Sequence, residues 1–159
     1  MRVLSKRHPK LNWLCQEANL RKKVLVVEDE KIDAVRVAKV IREEFPDVGI
    51  EVVTNGEQAL DWVHRFRPLG GESVVLVLMD LTIPRMSGLD LISEFKANPF
   101  LKAAPIVILS GSDNPEAIKS AYASGACGYL IKQGATPDMQ VLLKRTFDYW
   151  LHANLLPAS

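Results

Sequence analysis

The sequence predicts an α/β fold, a doubly wound five-stranded parallel sheet of order 2-1-3-4-5 with five flanking helices. Three observations carry this expectation. From Lys23 onward, short β-branched apolar runs alternate with amphipathic stretches, which is the pattern of successive strand and helix units. One of those runs, Val74 to Met79, is apolar on both faces, as a strand covered by helices on two sides must be, so it belongs mid-sheet. The length of 159 residues leaves room for one such domain with short appendages.

The elements follow in order. Val24 to Val27 is the first strand, and Ile32, Val35, Ala38, Ile41 and Phe45 then recur at helical spacing until Pro46 ends the pattern. Ile50 to Val53 is the second strand. Thr54, with Glu57 three residues on, reads as a capping box that opens a helix through Ala59, Leu60, Trp62 and Val63, stopping before Pro68 and Gly70. After the third strand and a loop with Pro84 and Gly88, a helix runs from Leu89 to about Ala97, and Ile106 to Leu109 is the fourth strand. Asp113, Asn114, Pro115 and Glu116 supply a cap, an early-turn proline and an acidic first turn for the next helix, which ends near Gly125. Cys127 to Ile131 is the fifth strand. Thr136 and Pro137 open a last helix whose stripe is Met139, Leu142, Leu143, Thr146, Phe147 and Trp150.

Apolar residues make up 48% of the chain and charged residues 25%, which suits a buried core and excludes disorder throughout. The net charge of +1 conceals an asymmetry: residues 1 to 23 hold seven basic residues against Glu17, or +6, and the remainder carries −5. We therefore expect a basic extension over 1–22, a globular domain over 23–152 and a tail over 153–159. A nucleic-acid role for the extension lacks a motif and aromatic interleaving beyond Trp13, so no nucleic-acid partner is expected. With no membrane-length apolar run, no signal-peptide pattern and two cysteines without metal-ligand spacing, the expected location is the cytoplasm.

In an open parallel sheet, ligands bind beyond the carboxyl ends of the strands where strand order reverses. There the first strand ends in Glu28-Asp29, the third in Asp80, the fourth in Ser110 and the fifth in Lys132. Singly, each has a plain alternative: Asp29 as a helix cap, Ser110 serving a loop amide, Lys132 in solvent. Together they converge on one rim, and Asp80 directly follows six apolar residues, where an unpaired carboxylate would be expensive. Three carboxylates in one cavity repel unless a cation holds them, and oxygen ligands without His or Cys select Mg2+. Lys132 brings a point charge and Ser110 a hydroxyl suited to phosphate oxygens, which equips Asp80 as a nucleophile toward phosphorus. His8, His64 and His152 and the helical Trp62 read as surface and packing residues.

With these pieces placed, the sequence resembles the response-regulator receiver domains of bacterial two-component signalling. The matching segments are Val24-Leu-Val-Val-Glu-Asp29, Leu78-Met-Asp-Leu-Thr-Ile-Pro-Arg-Met-Ser-Gly88, Ile106-Val-Ile-Leu-Ser-Gly111 and Gly128-Tyr-Leu-Ile-Lys132, in order and spacing over residues 24 to about 150. The resemblance implies a flavodoxin-like receiver fold with Asp80 as phosphoacceptor. It implies Mg2+ held by Asp29, Asp80 and the backbone carbonyl of Thr82, with Glu28 completing the acidic pocket. Ser110 becomes the switch hydroxyl and Tyr129 the aromatic that swings inward, while Thr82 and Ser112 tune loss of the phosphate. Where the family usually follows its site lysine with a cis proline, this sequence has Gln133. Receivers that serve phytochrome-like kinases also tend to lack that proline, and Tyr149-Trp150 with Leu156-Pro157 resembles the close of their sequences.

The partner so implied is a sensor histidine kinase, and the protein itself is expected to be a phosphoacceptor and not an enzyme acting on other substrates. Only Leu151 to Ser159 follow the last helix, so the expected output is protein contact by a stand-alone regulator. Apolar residues Val141, Tyr149, Leu151, Leu155 and Leu156 lead us to expect a homodimer through the fourth helix, fifth strand and last helix, with the tails crossing; a tail folded on its own domain is the alternative. Competing functions are a phosphorelay intermediate or phosphate sink, a flavodoxin-like cofactor binder, and an aspartyl phosphohydrolase. Glu28-Asp29-Glu30 would repel a flavin phosphate, and Thr82 stands where the phosphohydrolase needs a second carboxylate.

Overall fold

The computed structural model describes residues 22–132 and 136–157. Strands β1 (Lys22–Val27), β2 (Gly49–Val53), β3 (Ser73–Met79), β4 (Ile106–Ser110) and β5 (Gly128–Ile131) form one parallel sheet in the order β2-β1-β3-β4-β5, as expected. Helices α1 (Lys31–Glu44), α2 (Gly56–Arg65), α3 (Gly88–Ala97), α4 (Pro115–Ser124) and α5 (Thr136–Asp148) connect and follow the strands. A short 3-10 turn, Leu69–Gly71, precedes β3, and a π-helical turn, Tyr149–Ala153, extends α5.

Two apolar layers sandwich the sheet. One packs α2, α3 and α4 residues such as Val63, Leu91, Phe95 and Ala121 against Leu25, Val77 and Ile108. The other packs Val37, Ile41, Leu143 and Phe147 of α1 and α5, with Phe45 just past α1, against Val24, Val26, Leu76 and Leu78. Burial of β3 on both faces explains its unbroken apolar sequence and its central place.

Register puts the strand ends level. Val27 pairs with both Val53 and Met79, so Glu28 and Asp80 leave neighbouring strands side by side. The Asp80 amide donates to the Val27 carbonyl at 3.0 Å and the Glu28 amide to Val53 at 3.0 Å, carrying the ladder one residue past the strands. On the other side Ser110 pairs with Ile131, and the Lys132 amide donates to Ser110 at 2.7 Å.

Several local expectations change. The expected Ala38, Ile41 and Phe45 are buried, but in the first turns of α1 the buried face runs through Ala34 and Val37, and Ile32 and Val35 stay about 60% exposed. The cap of α2 is Asn55, whose side chain accepts from the Gln58 amide at 2.9 Å, and Gln58 reaches back to the Thr54 amide at 3.0 Å. The cap thus stands one residue later than Thr54 and Glu57 suggested, and the return bond reaches the residue before the cap and not the cap itself, so a strict capping box does not form. Asn114 caps α4 with Pro115 in its first turn, as expected. Leu151, expected at the surface, is buried because the π turn rotates it toward the core, and Leu156 packs against the same layer, whereas Leu155 is 92% exposed.

The 1–22 extension lies outside the described residues except for Lys22, which already belongs to β1. Gln133 and the side chains of Thr136 and Pro137 also fall outside them. Among the described residues, no helix is long and apolar enough to cross a membrane.

Candidate functional site

The expected groups meet at the carboxyl rim of the sheet. Glu28 and Asp80 are 2% and 7% exposed, Ser110 is equally buried, and Asp29 is open to solvent. Carboxylate oxygens of Glu28, Asp29 and Asp80 all lie within 4.8 Å of one another. An exclusively oxygen donor set, partly buried with one member at the surface, fits a hard divalent cation that keeps some of its waters.

Each carboxylate is oriented. Asp80 Oδ1 accepts from the Thr82 amide at 2.9 Å and Oδ2 from Lys132 Nζ at 2.8 Å. Glu28 Oε1 accepts from the Glu30 amide at 2.9 Å, and its Oε2 lies 2.7 Å from Lys132 Nζ. Burial pushes the Glu28 carboxyl above the ordinary glutamate value, and the bonds from Lys132 and the Glu30 amide offset that only in part. For Lys132, burial works against the charged form, but hydrogen bonds to Asp80, Glu28 and Asp33 outweigh it and hold the ammonium above the usual lysine value.

The third carboxylate on Lys132, Asp33 at 3.0 Å, was missed by the sequence reading. It stands in the first turn of α1, three residues after the cap Glu30. An acidic first turn is so common that this spacing alone does not distinguish a site residue from a favourable helix terminus.

The loop from Asp80 to α3 is braced against α2. The Gly56 amide donates to the Pro84 carbonyl at 3.1 Å, and Arg85 pairs with Glu57 at 2.6 Å while holding a φ of 72°. A side chain at Gly88 would stand 2.8 Å from Leu81 Cα, so only glycine permits this closure beside Asp80.

Ser110 and Tyr129 sit at the rim and bond to Ser112, with no hydrogen bond to Asp80 among the described residues. The Ser110 hydroxyl accepts from the Ser112 amide at 3.2 Å, and the half-buried Tyr129 donates its hydroxyl proton to the Ser112 carbonyl at 2.9 Å. Thr82 is exposed, with its amide on Asp80. His64 and His152 pair with Glu94 and Asp148 on the surface, away from the cluster.

Known proteins share the sequence pattern and the fold of this chain. The sequence profile of the response regulator receiver domain matches residues 24–144. The chain is 28% identical to the response regulator Rcp1 of Synechocystis sp. over 92% of its length and all of Rcp1. It is 30% identical to the probable methanogenesis regulatory protein FilR2 of Methanothrix harundinacea, covering 84% of this chain and 86% of that one. Among solved structures, the phosphorylated cyanobacterial phytochrome response regulator RcpA superposes with a TM-score of 0.78 at 26% identity, covering 87% of this chain and 99% of RcpA. The Mn2+-bound form of Rcp1 superposes at 0.76 and 28% identity, over 86% and 99%.

Proposed function

The chain belongs to the response regulator receiver family, and from that premise we propose that Asp80 is its phosphoacceptor, loaded by a sensor histidine kinase of a phytochrome-type pathway. The observation that carries the residue assignment is the Asp80 carboxylate itself: buried, fixed through one oxygen by the Thr82 amide and through the other by Lys132, beside two more carboxylates.

In the transfer, an oxygen of Asp80 forms a bond to phosphorus as the bond from phosphorus to the kinase histidine nitrogen breaks. The bonding pair leaves with the imidazole, which takes up a proton. The chain's residues fix the nucleophile and meet the transferred charge: Lys132 with its ammonium, Ser110 with a hydroxyl once it leaves the Ser112 amide. Glu28, Asp29, Asp80 and the Thr82 carbonyl would hold Mg2+, which supplies neutralisation of the phosphoryl oxygens when bound. Tyr129 then reports the state through its bond to Ser112, on the segment that Ser110 must leave.

We also read the output as contact with other proteins in the cytoplasm, with the basic extension as an appendage and no nucleic acid or membrane as partner. A homodimer through α4, β5 and α5 is supported by exposed Tyr122, Val141 and Tyr149 and by Leu155. Burial of Leu151 and packing of Leu156 confine any crossing of tails to the residues around Leu155. The likeness to RcpA, a cyanobacterial phytochrome response regulator, supports the phytochrome pathway.

Phosphotransfer tests the proposal. A phosphorylated phytochrome-type kinase should pass its label to the wild-type chain in Mg2+, and Asp80→Asn should receive none. Transfer to the Asn variant at the wild-type level would refute Asp80 as the acceptor.

A further inference from the structure

The Lys132 ammonium has three N–H donors and meets three carboxylates: Glu28 at 2.7 Å, Asp80 at 2.8 Å and Asp33 at 3.0 Å. These come from three separate elements, the end of β1, the end of β3 and the first turn of α1. Only Asp33 lies outside the group of carboxylates close enough to share a cation.

We propose that Asp33 is a positioning residue for phosphoryl transfer, holding the Lys132 ammonium from the α1 side so that one of its N–H groups stays aimed at Asp80. The inference rests on Asp80 being the phosphoacceptor. When Asp80 is esterified, its carboxylate gives up its charge, and the N–H that it held becomes available to a phosphoryl oxygen. Glu28 and Asp33 retain the other two donors, so the lysine needs no new rotamer to make that bond. A lysine is a point charge on a flexible four-carbon stem and gains its direction from such anchors.

The second observation concerns charge. A fourth carboxylate beside the cation site would by itself oppose an incoming dianion. Asp33 escapes this because its other oxygen, Oδ1, accepts from Arg36 Nη1 at 3.3 Å, one turn along α1. Arg36 thus compensates the charge while Oδ2 remains on Lys132. Asp33 anchors the lysine without adding net charge to a pocket that must receive an anion.

A double-mutant comparison tests this on the full chain. Mg2+ affinity is measured by calorimetry, and affinity for beryllofluoride, a phosphoryl mimic, by fluorine NMR in saturating Mg2+. Asp33→Asn should keep the thermal melt and hold Mg2+ within about twofold, yet weaken beryllofluoride about tenfold. In a Lys132→Ala background the same substitution should change beryllofluoride affinity by less than about twofold, because the side chain that it acts through is gone. Unchanged or tighter beryllofluoride binding by Asp33→Asn overturns the proposal, as does an equal loss in the Lys132→Ala background. If Asp33→Asn melts early, Asp33→Ser carries the same comparison. Failure of the wild-type chain to bind beryllofluoride would instead refute the phosphoacceptor reading itself.

Discussion

The rim of the sheet and the apolar layers beneath it are separated by a single residue along the chain. Val27 and Met79 are fully buried among leucines and valines, and the next residues, Glu28 and Asp80, are nearly as buried but charged. Below that line every contact favours the folded state through burial of apolar surface. Above it, carboxylates are held together against their mutual repulsion, with one ammonium shared among three of them. The difference teaches that stability and function are divided between the two regions, so substitutions should separate them.

The sharpest break is Asp80→Asn. It should abolish kinase-dependent labelling while the thermal melt stays near that of the wild type, because the one acceptor oxygen of Asn can keep the Thr82 amide while Lys132 retains Glu28 and Asp33. A large fall in melting temperature would mean that the rim also carries the fold. The converse substitution is Phe147→Ala in the layer between α5 and the sheet. It leaves a cavity at a fully buried site beside Phe45 and should cost about 3 to 5 kcal/mol in denaturant unfolding, with Mg2+ affinity intact in the protein that remains folded.

Glu28→Gln sharpens the comparison through pH. Burial raises the proton affinity of Glu28 above the ordinary value of 4.5, so the folded state binds this proton more tightly than the unfolded chain does. Glu28 therefore favours folding fully below pH 4.5 and loses that advantage as pH rises through its folded pKa. At neutral pH in metal-free buffer, removing the charge should raise the melting temperature, and the gain should fade below pH 4.5. A lowered melting temperature at pH 7 would contradict the strain assigned to the rim. The smallest expected effect is Asn114→Ala, which removes the side-chain cap from the Glu116 amide and should cost about 1 kcal/mol with labelling unchanged.

Most of the rim was legible because strand ends are marked in the sequence. An apolar run that stops at Asp80, Ser110 or Lys132 fixes both the strand and the residue that leaves it, and the strand order brings those residues together. The strands and the five helices could be read for the same reason. Helix faces were harder. In α1, Ile32 and Val35 share a spacing with the buried Ala38 and Ile41, and nothing local distinguishes them from Ala34 and Val37, which are the ones buried. Leu151 was misjudged because a π turn breaks the 3.6-residue period on which the stripe of α5 was counted. Asp33 was invisible for a third reason: its partner Lys132 lies 99 positions away in sequence, and no periodicity records such a contact.

Acyl-phosphate trapping tests the central claim most directly. The full chain is incubated with acetyl phosphate and Mg2+, reduced with borohydride, which converts an aspartyl phosphate to homoserine, and mapped by peptide mass spectrometry. Homoserine should appear at position 80 and vanish when a chelator removes the metal. Homoserine at a different aspartate, or an equal yield in the chelator, would contradict the account.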